Sequence, residues 1–422
     1  MEDTIVALSS AHGKGAIAVI RLSGKDSLSL LRGAFKKELE PRKAVHGKID
    51  VKRVKDDIIA VYFNAPKSFT GEDVVEIYCH GSSIVTEAII RYFIENGARL
   101  ANRGEFTRRA FENGKLTLSE SEGIIDLIDA TSESGARAAY NLASGALSKE
   151  LEKIKRSLTE ISASINVEID YPEEDVGAST SEENLAAVER AIEKTEKLEA
   201  SYEAGKKITG GVNVVIGGVP NAGKSTLLNA LVGYERAIVT DEAGTTRDTV
   251  EASYVYKDVL FNVTDTAGVR EGALSKAETL GIERSVAALE GCDVAVLLDG
   301  FDCGSENKIK VHAKADKGRT DGVLNVSALT GEGIEALKEE IYEKSRVVAT
   351  DEVMLTNLRQ YEAIRSVKEA LLRVKAAMEK KEPAEAVAFE LFSALAALND
   401  MDGVTATREV VDEIFSRFCV GK

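Results

Sequence analysis

The sequence predicts a multidomain protein of mixed α/β and α+β class, with a P-loop nucleotide-binding domain inserted into a helical domain and an α+β domain before both. The chain has 422 residues, of which 44% are hydrophobic, and this length exceeds what one compact core usually holds. Residues 208–345 alternate strand-like and helical runs around a glycine-rich loop, whereas long helical patterns flank them on both sides. Because both flanks share one pattern, we predict a single helical domain interrupted by an insertion whose ends lie close together.

The amino-terminal α+β domain is predicted over residues 1–115. Short apolar runs such as Ile17–Leu22, Ile58–Phe63 and Val74–Tyr78 have the length and composition of strands. Turn signals such as the dipeptide at 96–97 separate these runs. The mixture indicates a small sheet with helices between some of its strands.

The helical domain is predicted in two parts, over residues 116–207 and 346–422. Apolar residues recur there at three- and four-residue spacing for many turns, which is typical of long amphipathic helices that pack on one another. The segment Tyr171–Asp175 interrupts the first part, and a further helix is predicted from Ser181 to Glu203.

The inserted domain carries the pattern GxxxxGK[ST] at Gly218–Ser225. An apolar strand is predicted before it at Val212–Ile216, and a helix after it at Thr226–Val232. In this context the glycines allow successive backbone N–H groups to face phosphates, Lys224 neutralises phosphate charge and the Ser225 hydroxyl reaches Mg²⁺. The pattern therefore favours a nucleotide site over a glycine-rich turn without a ligand.

Two further segments follow in the order that a nucleotide switch requires. A strand at Val259–Val263 runs into DTAG, where Asp265 can hold Mg²⁺ through water and the Gly268 N–H can meet a γ-phosphate. Between this strand and the phosphate loop lies TDEAGTTRD, residues 240–248, which has a threonine that can complete the coordination of Mg²⁺. Taken alone, the TTR triplet is equally typical of a polar surface loop.

A base-binding segment is predicted at AKAD, residues 313–316. Lys314 can stack on a base and Asp316 can pair with it, while Ser327 and Ala328 follow an apolar strand and can present a backbone N–H to a guanine oxygen. These contacts favour guanine over adenine, so the domain is predicted to be a GTPase.

Three features depart from the usual pattern of small GTPases. Val269 stands where a water-orienting glutamine is expected, and an aliphatic side chain cannot hydrogen-bond the attacking water. Ala313 stands where an asparagine normally contacts the base and its loop, and losing those contacts should weaken binding by about 1–3 kcal/mol. The link from Asp299 to Lys308 is short, so we expect one helix usual in this fold to be missing.

Composition and charge argue against several other classes of protein. The net charge of -16 leaves no broad basic surface for nucleic acid, so an RNA contact must be local or shared with a partner. The four cysteines lack CxxC spacing, the first residues lack the layout of a signal peptide, and no apolar run has membrane-spanning length. We therefore expect a cytoplasmic protein without a membrane partner.

Several segments taken together are similar to those of one family. They are GVPNAGKSTLLN, TDEAGTTRD, DTAGVR and GIER in the inserted domain, DTIVALSSAHGKGAIAVIRLSG, SFTGEDVVEIYCHG and RGEFTRRAFENGKLTLSE near the start, and the terminal FCVGK. Over nearly its whole length the chain resembles the MnmE (TrmE) family of tRNA modification GTPases. The resemblance implies a folate-binding amino-terminal domain that forms homodimers, a helical domain built from both flanks and an inserted GTPase domain.

The resemblance also implies a reaction and a partner. Members of this family work with the FAD protein MnmG (GidA) in a heterotetramer, in which FAD is bound by the partner alone. With a folate one-carbon donor, the two proteins add an aminomethyl-type group at carbon 5 of the tRNA wobble uridine.

Metal sites are implied by position. The expected K⁺ ligands are Asn221, Thr240, Glu242 and Thr245, the glutamate through its main chain. The expected Mg²⁺ ligands are Ser225 and Thr246. A K⁺ beside the phosphates can supply the positive charge that an arginine finger supplies elsewhere, once two GTPase domains meet face to face.

Catalysis is assigned by the same resemblance to Glu278, Asn221 and Lys224. Glu278 is expected to orient the attacking water indirectly, although alone it is more typical of a solvated helix charge. The expected GTP contacts are Asn221, Ala222, Gly223, Lys224, Ser225, Thr226, Thr240, Asp241, Glu242, Ala243, Gly244, Thr245, Thr246, Asp265, Thr266, Ala267, Gly268, Lys314, Asp316, Ser327 and Ala328.

Folate contacts are implied at Arg21, Glu76, Lys115 and Lys422. A glutamate can pair with the amino and ring N–H groups of a pterin, and cationic side chains can receive the carboxylates of the folate tail. Cys419 is a candidate for the one-carbon chemistry, with a buried helix cysteine as the alternative.

Two other functions stay open on the sequence. One is a folate-binding scaffold for the partner that binds nucleotide weakly because of Ala313. The other is a ribosome-assembly GTPase, since several of these share the TTRD segment. The amino-terminal segments and the terminal Cys-x-Gly-Lys argue against the second.

Overall fold

The structure is a computed structural model that describes the chain except at residues 1–2, 53, 171–177, 220, 234–251, 266–288, 290, 303, 305, 348–351 and 404–406. The contacts divide the chain into two compact units. The first comprises Met1–Ile125, Leu142–Thr180 and Ala377–Lys422, and the second comprises Asp126–Asn141 and Ser181–Ala376.

The first unit begins with a six-stranded sheet. Its strands are β1 (Ile5–Leu8), β2 (Gly15–Ser23), β3 (Ala44–Val51), β4 (Val54–Phe63), β5 (Val74–Gly81) and β6 (Arg99–Leu100), in the order β3-β4-β5-β2-β1-β6. Neighbouring strands are antiparallel except β1 and β6. Helices α1 (Ser27–Ala34) and α2 (Ser83–Glu95) share one apolar core with the sheet, to which Ile20 and Ile77 belong. Because side chains alternate along a strand, Arg21 and Glu76, which lie directly opposite each other, point to the other face.

Helices follow this sheet along the chain. They are α3 (Glu105–Glu112), α4 (Leu118–Asp129), α5 (Glu133–Ala143), α6 (Ala146–Asp170) and α7 (Ala178–Gly210). Along α6 the buried residues recur at three- and four-residue spacing, as amphipathic packing predicts: Leu147, Leu151, Ile154, Leu158, Ile161 and Ile165. Among the described helices, none combines the length and apolar composition needed to cross a membrane.

The second unit contains a mostly parallel sheet with helices. Its strands are β7 (Val212–Gly217), β8 (Ala252–Tyr256), β9 (Val259–Asp265), β10 (Val294–Leu298), β11 (Lys308–His312) and β12 (Leu324–Asn325), in the order β12-β11-β10-β7-β9-β8. Only β8 runs antiparallel to its neighbour. Helices α8 (Lys224–Val232) and α9 (Ile334–Ser345) contribute Leu227 and Leu337 to its core. This architecture confirms the predicted fold class.

Two connections in this sheet are unusually simple. In the described part of 299–307, between β10 and β11, there is no helix, as the short link predicts. Residues 313–323, between β11 and β12, are all described and also contain no helix. Both connections join parallel strands, which usually require a helical crossover.

The chain returns to helices after the inserted domain. They are α10 (Leu358–Glu379), α11 (Ala384–Met401) and α12 (Arg408–Ser416). In the first unit, the buried residues of α12 form a small core with Leu118 at the start of α4, and Phe418 belongs to the same core. The last residues of the chain therefore lie against its amino-terminal part.

Candidate functional site

The phosphate loop runs from the end of β7 to the start of α8. Asn221 and Gly223 both adopt left-handed conformations, with φ of 63° and 99°, just before the helix begins at Lys224. Such alternation turns successive N–H groups toward one concave space, and the free N–H groups of the first helical turn face the same way. The loop can therefore hold an anion.

Lys224 is buried and is held across this loop. Its Nζ donates to the carbonyl oxygens of Gly218 at 3.0 Å and Val219 at 3.2 Å. The loop backbone thus keeps an ammonium group beside the N–H groups that would face a phosphate. Ala222 and Gly223 contribute backbone to the same turn, and Ala222 is buried.

The two expected Mg²⁺ contacts of the described chain lie side by side. The Ser225 hydroxyl donates to Oδ2 of Asp265 at 2.6 Å, and Asp265 is almost completely buried at the end of β9. Mg²⁺ prefers oxygen ligands such as these, with carboxylates and waters completing an octahedron. The pair fits a Mg²⁺ site next to the phosphate loop.

A cavity of about 190 Å³ lies beside the loop, and residues predicted to contact the base line it. It is lined by residues that include Gly223, Thr226, Ala313, Lys314, Asp316 and Ala328. Lys314 has φ of 63°, and its Nζ donates to the Asn221 carbonyl oxygen at 3.0 Å. The base-binding segment is thereby joined to the phosphate loop, and mostly apolar walls suit the faces of a purine.

Asp316 is prepared to accept hydrogen bonds. Its Oδ1 accepts from the Ser327 hydroxyl at 2.7 Å, and this hydrogen bond lowers the pKa of the Asp316 carboxyl. An ionised carboxylate accepts from the ring N–H and amino groups of guanine, whereas adenine has no N–H at the corresponding ring position. The geometry therefore suits guanine.

Several expected contacts lie outside the described residues. They are Thr240, Asp241, Glu242, Ala243, Gly244, Thr245, Thr246, Thr266, Ala267, Gly268 and Glu278. Of the expected K⁺ ligands only Asn221 is described, and of the expected catalytic residues only Asn221 and Lys224.

A second polar site lies on the outer face of the amino-terminal sheet. Arg21 donates from Nη2 at 2.7 Å and from Nε at 3.0 Å to Oε1 of Glu76. The Tyr78 hydroxyl donates to Oε2 of the same glutamate at 2.6 Å. The Arg21 guanidinium also lies over the rings of Phe69 and Phe106, at 5.3 and 5.6 Å from their centroids. The arrangement combines charges with aromatic walls, which a flat, polar heterocycle requires.

The carboxyl-terminal tail packs against this domain. Phe106 donates its backbone N–H to the Lys422 carbonyl oxygen at 3.0 Å, and the Ser9 hydroxyl donates to the Gly421 carbonyl oxygen at 2.9 Å. Gly421 has φ of 99°, and a Cβ there would lie 2.0 Å from the Leu8 carbonyl oxygen. Only glycine fits this close approach, which explains its place in the terminal Cys-x-Gly-Lys.

The four expected folate contacts are therefore brought together to different degrees. Arg21 and Glu76 touch directly. The main chain of Lys422 contacts that of Phe106, whose ring lies beside Arg21. Lys115 donates from Nζ to the Pro66 carbonyl oxygen at 3.2 Å, in the segment that also carries Phe69.

Sequence reasoning missed Tyr78, Phe69 and Phe106. Tyr78 could have been found, since it lies two residues after Glu76 on a strand and therefore on the same face. Burial raises the pKa of Tyr78 to about 12, so its hydroxyl remains a donor at neutral pH. No local pattern distinguishes the two phenylalanines from core residues.

The cysteines differ in their surroundings. Cys79 lies on the core face of β5, and burial raises the pKa of its thiol to about 11. Cys419 is exposed and follows α12, so the alternative of a buried helix cysteine is wrong. Beyond the helix, Gly104 donates its backbone N–H to the Cys419 carbonyl oxygen at 3.3 Å. Within the described part of the chain, no group of three or more His, Cys, Asp or Glu residues could hold a metal ion.

Comparison with known proteins gives consistent matches. The family model described as "GTP-binding protein TrmE N-terminus" matches residues 4–115, and "MnmE helical domain" matches residues 118–419. The chain is 38% identical over 455 aligned residues to the tRNA modification GTPase MnmE of Thermotoga petrophila, with 100% of each chain covered. It is 39% identical to the protein of the same description from Fervidobacterium nodosum, covering 100% of this chain and 98% of that one.

A solved structure, the G domain of the T. maritima FeoB iron transporter, is similar over 32% of this chain and 99% of its own, at 26% identity. The TM-score of this comparison is 0.24.

Proposed function

Since the chain belongs to the MnmE family of tRNA modification GTPases, we propose that its phosphate loop hydrolyses GTP with Mg²⁺ and K⁺ in support of wobble-uridine modification. The observation that carries this proposal is that a buried lysine, Lys224, lies in the phosphate loop and an ionised aspartate, Asp316, lines the adjoining cavity. The lysine suits a polyphosphate, and the aspartate suits guanine.

Each described residue of the site has a defined part in hydrolysis. Lys224 neutralises charge on the β- and γ-phosphates, and Ser225 with Asp265 would hold Mg²⁺. Lys314 and Asp316 orient the guanine. When bound, the divalent ion neutralises the charge that develops on the phosphate oxygens.

The source of the remaining catalytic charge follows from Val269, which cannot orient water. We assign this charge to a K⁺ held by Asn221, with Thr240, Glu242 and Thr245 as its other ligands. Thr246 would complete the Mg²⁺ site, and Glu278 would position the attacking water. A face-to-face dimer of two GTPase domains would complete the surroundings of this K⁺.

The amino-terminal site is proposed to bind a tetrahydrofolate derivative. Arg21 donates twice to Oε1 of Glu76 and Tyr78 donates once to Oε2, so Oε2 keeps one acceptor position for an N–H group of a pterin. Lys115 and Lys422 supply positive charge for the glutamate tail of the folate. The exposed Cys419 belongs to the same carboxyl-terminal segment of the protein as Lys422. A homodimer and an FAD-containing MnmG partner that together modify tRNA in the cytoplasm are proposed from family membership alone.

Single-turnover hydrolysis of GTP in K⁺ and in Na⁺ tests the proposal. We expect at least a tenfold higher rate in K⁺ in the native protein and equal rates in Asn221→Ala. Asn229→Ala, at an exposed position on α8, is the matched control and should keep the K⁺ effect. Equal rates in both salts for the native protein would remove the K⁺ mechanism.

Ala313 favours a second candidate, a folate-binding scaffold with little affinity for nucleotide. Calorimetric titration with GDP and GTP separates the two, because a scaffold would show no binding at millimolar nucleotide.

For the tRNA modification pathway itself, the decisive measurement is mass spectrometry of wobble nucleosides from cells that lack the protein. Unchanged modification of the wobble uridine would contradict the proposed role in this pathway.

A further inference from the structure

The base-binding segment lacks the asparagine that usually braces it, and another side chain contacts the backbone of Ala313. Ala313 donates its backbone N–H to Oδ1 of Asp299 at 3.1 Å. Asp299 directly follows β10, and its own N–H donates to the Val311 carbonyl oxygen at 3.0 Å. Asp299 therefore holds the end of β11 and the first residue of the base-binding segment together.

His312 extends this contact to the other end of the segment. Its Nδ1 lies 2.9 Å from Oδ1 of Asp299, and its Nε2 lies 3.1 Å from the Gly318 carbonyl oxygen. The residues between, 313–318, include Lys314 and Asp316. A neutral imidazole donates to one of these two oxygens at a time, and an imidazolium donates to both. His312 thus lies between Asp299 and the far end of the loop that presents both predicted base contacts.

The loop needs such a brace because of how it continues. Residues 313–323 contain no helix before β12, so no helical turn anchors the far side of the loop. Its remaining backbone contacts include Ala315 N–H to the Val326 carbonyl oxygen at 2.9 Å and Lys317 N–H to the Lys314 carbonyl oxygen at 2.8 Å. Neither holds the Ala313 N–H or the Gly318 carbonyl group.

The conformation of Asp299 also indicates a specific role. Its φ is 48°, in the left-handed region that most residues with a side chain avoid, although aspartate is among those enriched there. The side chain is 30% exposed and that of His312 is 27% exposed, so water competes only in part for their contact. In this conformation the carboxylate lies 3.1 Å from the Ala313 nitrogen.

We propose that Asp299, acting through Ala313 and His312, is a positioning residue for guanine recognition that takes over the loop contacts of the absent asparagine. The proposal rests on the nucleotide site proposed above. Asp299 does not line the cavity that receives the base, and it does not contact the phosphate loop in the described structure. Its removal should therefore weaken binding of the base and leave binding of the phosphates unchanged.

The test compares two probes on the full-length protein, GDP and inorganic tripolyphosphate. For Asp299→Ala we expect the Kd for GDP to rise about tenfold, since a hydrogen bond to a charged group is lost, while the Kd for tripolyphosphate stays the same. Asp299→Asn should give a smaller rise, because its amide oxygen still accepts the Ala313 N–H. In GTP hydrolysis, Asp299→Ala should raise KM with little change in kcat.

Asp302→Asn is the matched control. Asp302 belongs to the same connection but forms ion pairs with Lys308 and Lys310 at the surface. The affinity of the Asp302→Asn variant for GDP should therefore equal that of the native protein. An unchanged Kd for GDP in Asp299→Ala, or an equal loss for both probes, would overturn the inference. Failure of the native protein to bind GDP would instead overturn the proposed nucleotide site.

Discussion

The nucleotide site and the amino-terminal site are assembled in opposite ways. The phosphate loop is one continuous segment, Gly218–Ser225, whose lysine is held by carbonyl groups of the same loop. The amino-terminal site joins Arg21, Glu76, Phe106 and the tail, and the tail contact between Ser9 and Gly421 spans 412 residues of sequence.

The two sites should therefore respond differently to substitution. A continuous loop depends on local backbone conformation and on one or two side chains, so damage to it should stay confined to nucleotide chemistry. A site gathered from distant segments depends on tertiary contacts, so it should be sensitive to a change at the last residues of the chain. The following three predictions test that contrast.

The largest effect is expected for Lys224→Ala. Removing the only charge held inside the phosphate loop of the described chain should lower the single-turnover rate of GTP hydrolysis by about a thousandfold. Affinity for a tetrahydrofolate derivative, measured by calorimetry, should not change. Lys197→Ala, at an exposed lysine that pairs with Glu193, is the control and should hydrolyse GTP normally. A rate within tenfold of native in Lys224→Ala would show that the loop lysine is dispensable.

An intermediate effect is expected for Gly421→Ala. The new Cβ would lie 2.0 Å from the Leu8 carbonyl oxygen at a φ of 99°, so the tail must move away from β1. Displacement at a cost of about 2 kcal/mol should weaken binding of the tetrahydrofolate derivative about thirtyfold and leave GTP hydrolysis unchanged.

Val420→Ala supplies the control for the tail, because it keeps the backbone bridge to Arg103 and changes only a partly exposed side chain. Its folate affinity should stay within twofold of native. If Gly421→Ala binds folate as tightly as Val420→Ala, the tail is not part of the site.

The smallest effect is expected for Tyr78→Phe. Loss of the 2.6 Å hydrogen bond to Glu76 should weaken folate binding about fivefold, as expected for a net contribution of about 1 kcal/mol. Because burial raises the pKa of Tyr78 from 10.0 to about 12, the stabilisation linked to its proton is complete below pH 10 and lost between pH 10 and 12.

The ultraviolet titration curve of the native protein should be compared with that of Tyr78→Phe. The difference between the two curves should show one phenol that ionises near pH 12. A difference curve with its midpoint near pH 10 would contradict the buried hydrogen bond to Glu76.

Much of the second unit could be predicted from the sequence. The phosphate loop and its flanking strand and helix follow from local rules on glycine and apolar runs. The absence of a helix in the described part of the connection between β10 and β11 follows from the length of that connection. The apolar strand predicted before Ser327 covers only Leu324–Asn325 in the structure, because element ends depend on neighbouring contacts that no local pattern contains.

Residue type at short spacing was enough to predict the fold class, the phosphate loop and the candidate base contacts Lys314 and Asp316. The contacts of Tyr78 and Phe106 with Arg21 and Glu76, the exposure of Cys419, and the hydrogen bond from Ala313 to Asp299 became visible only in the folded chain. The physical reason is that these contacts join segments that meet only when strands pair and the tail packs, and their energies depend on distances that sequence spacing does not specify.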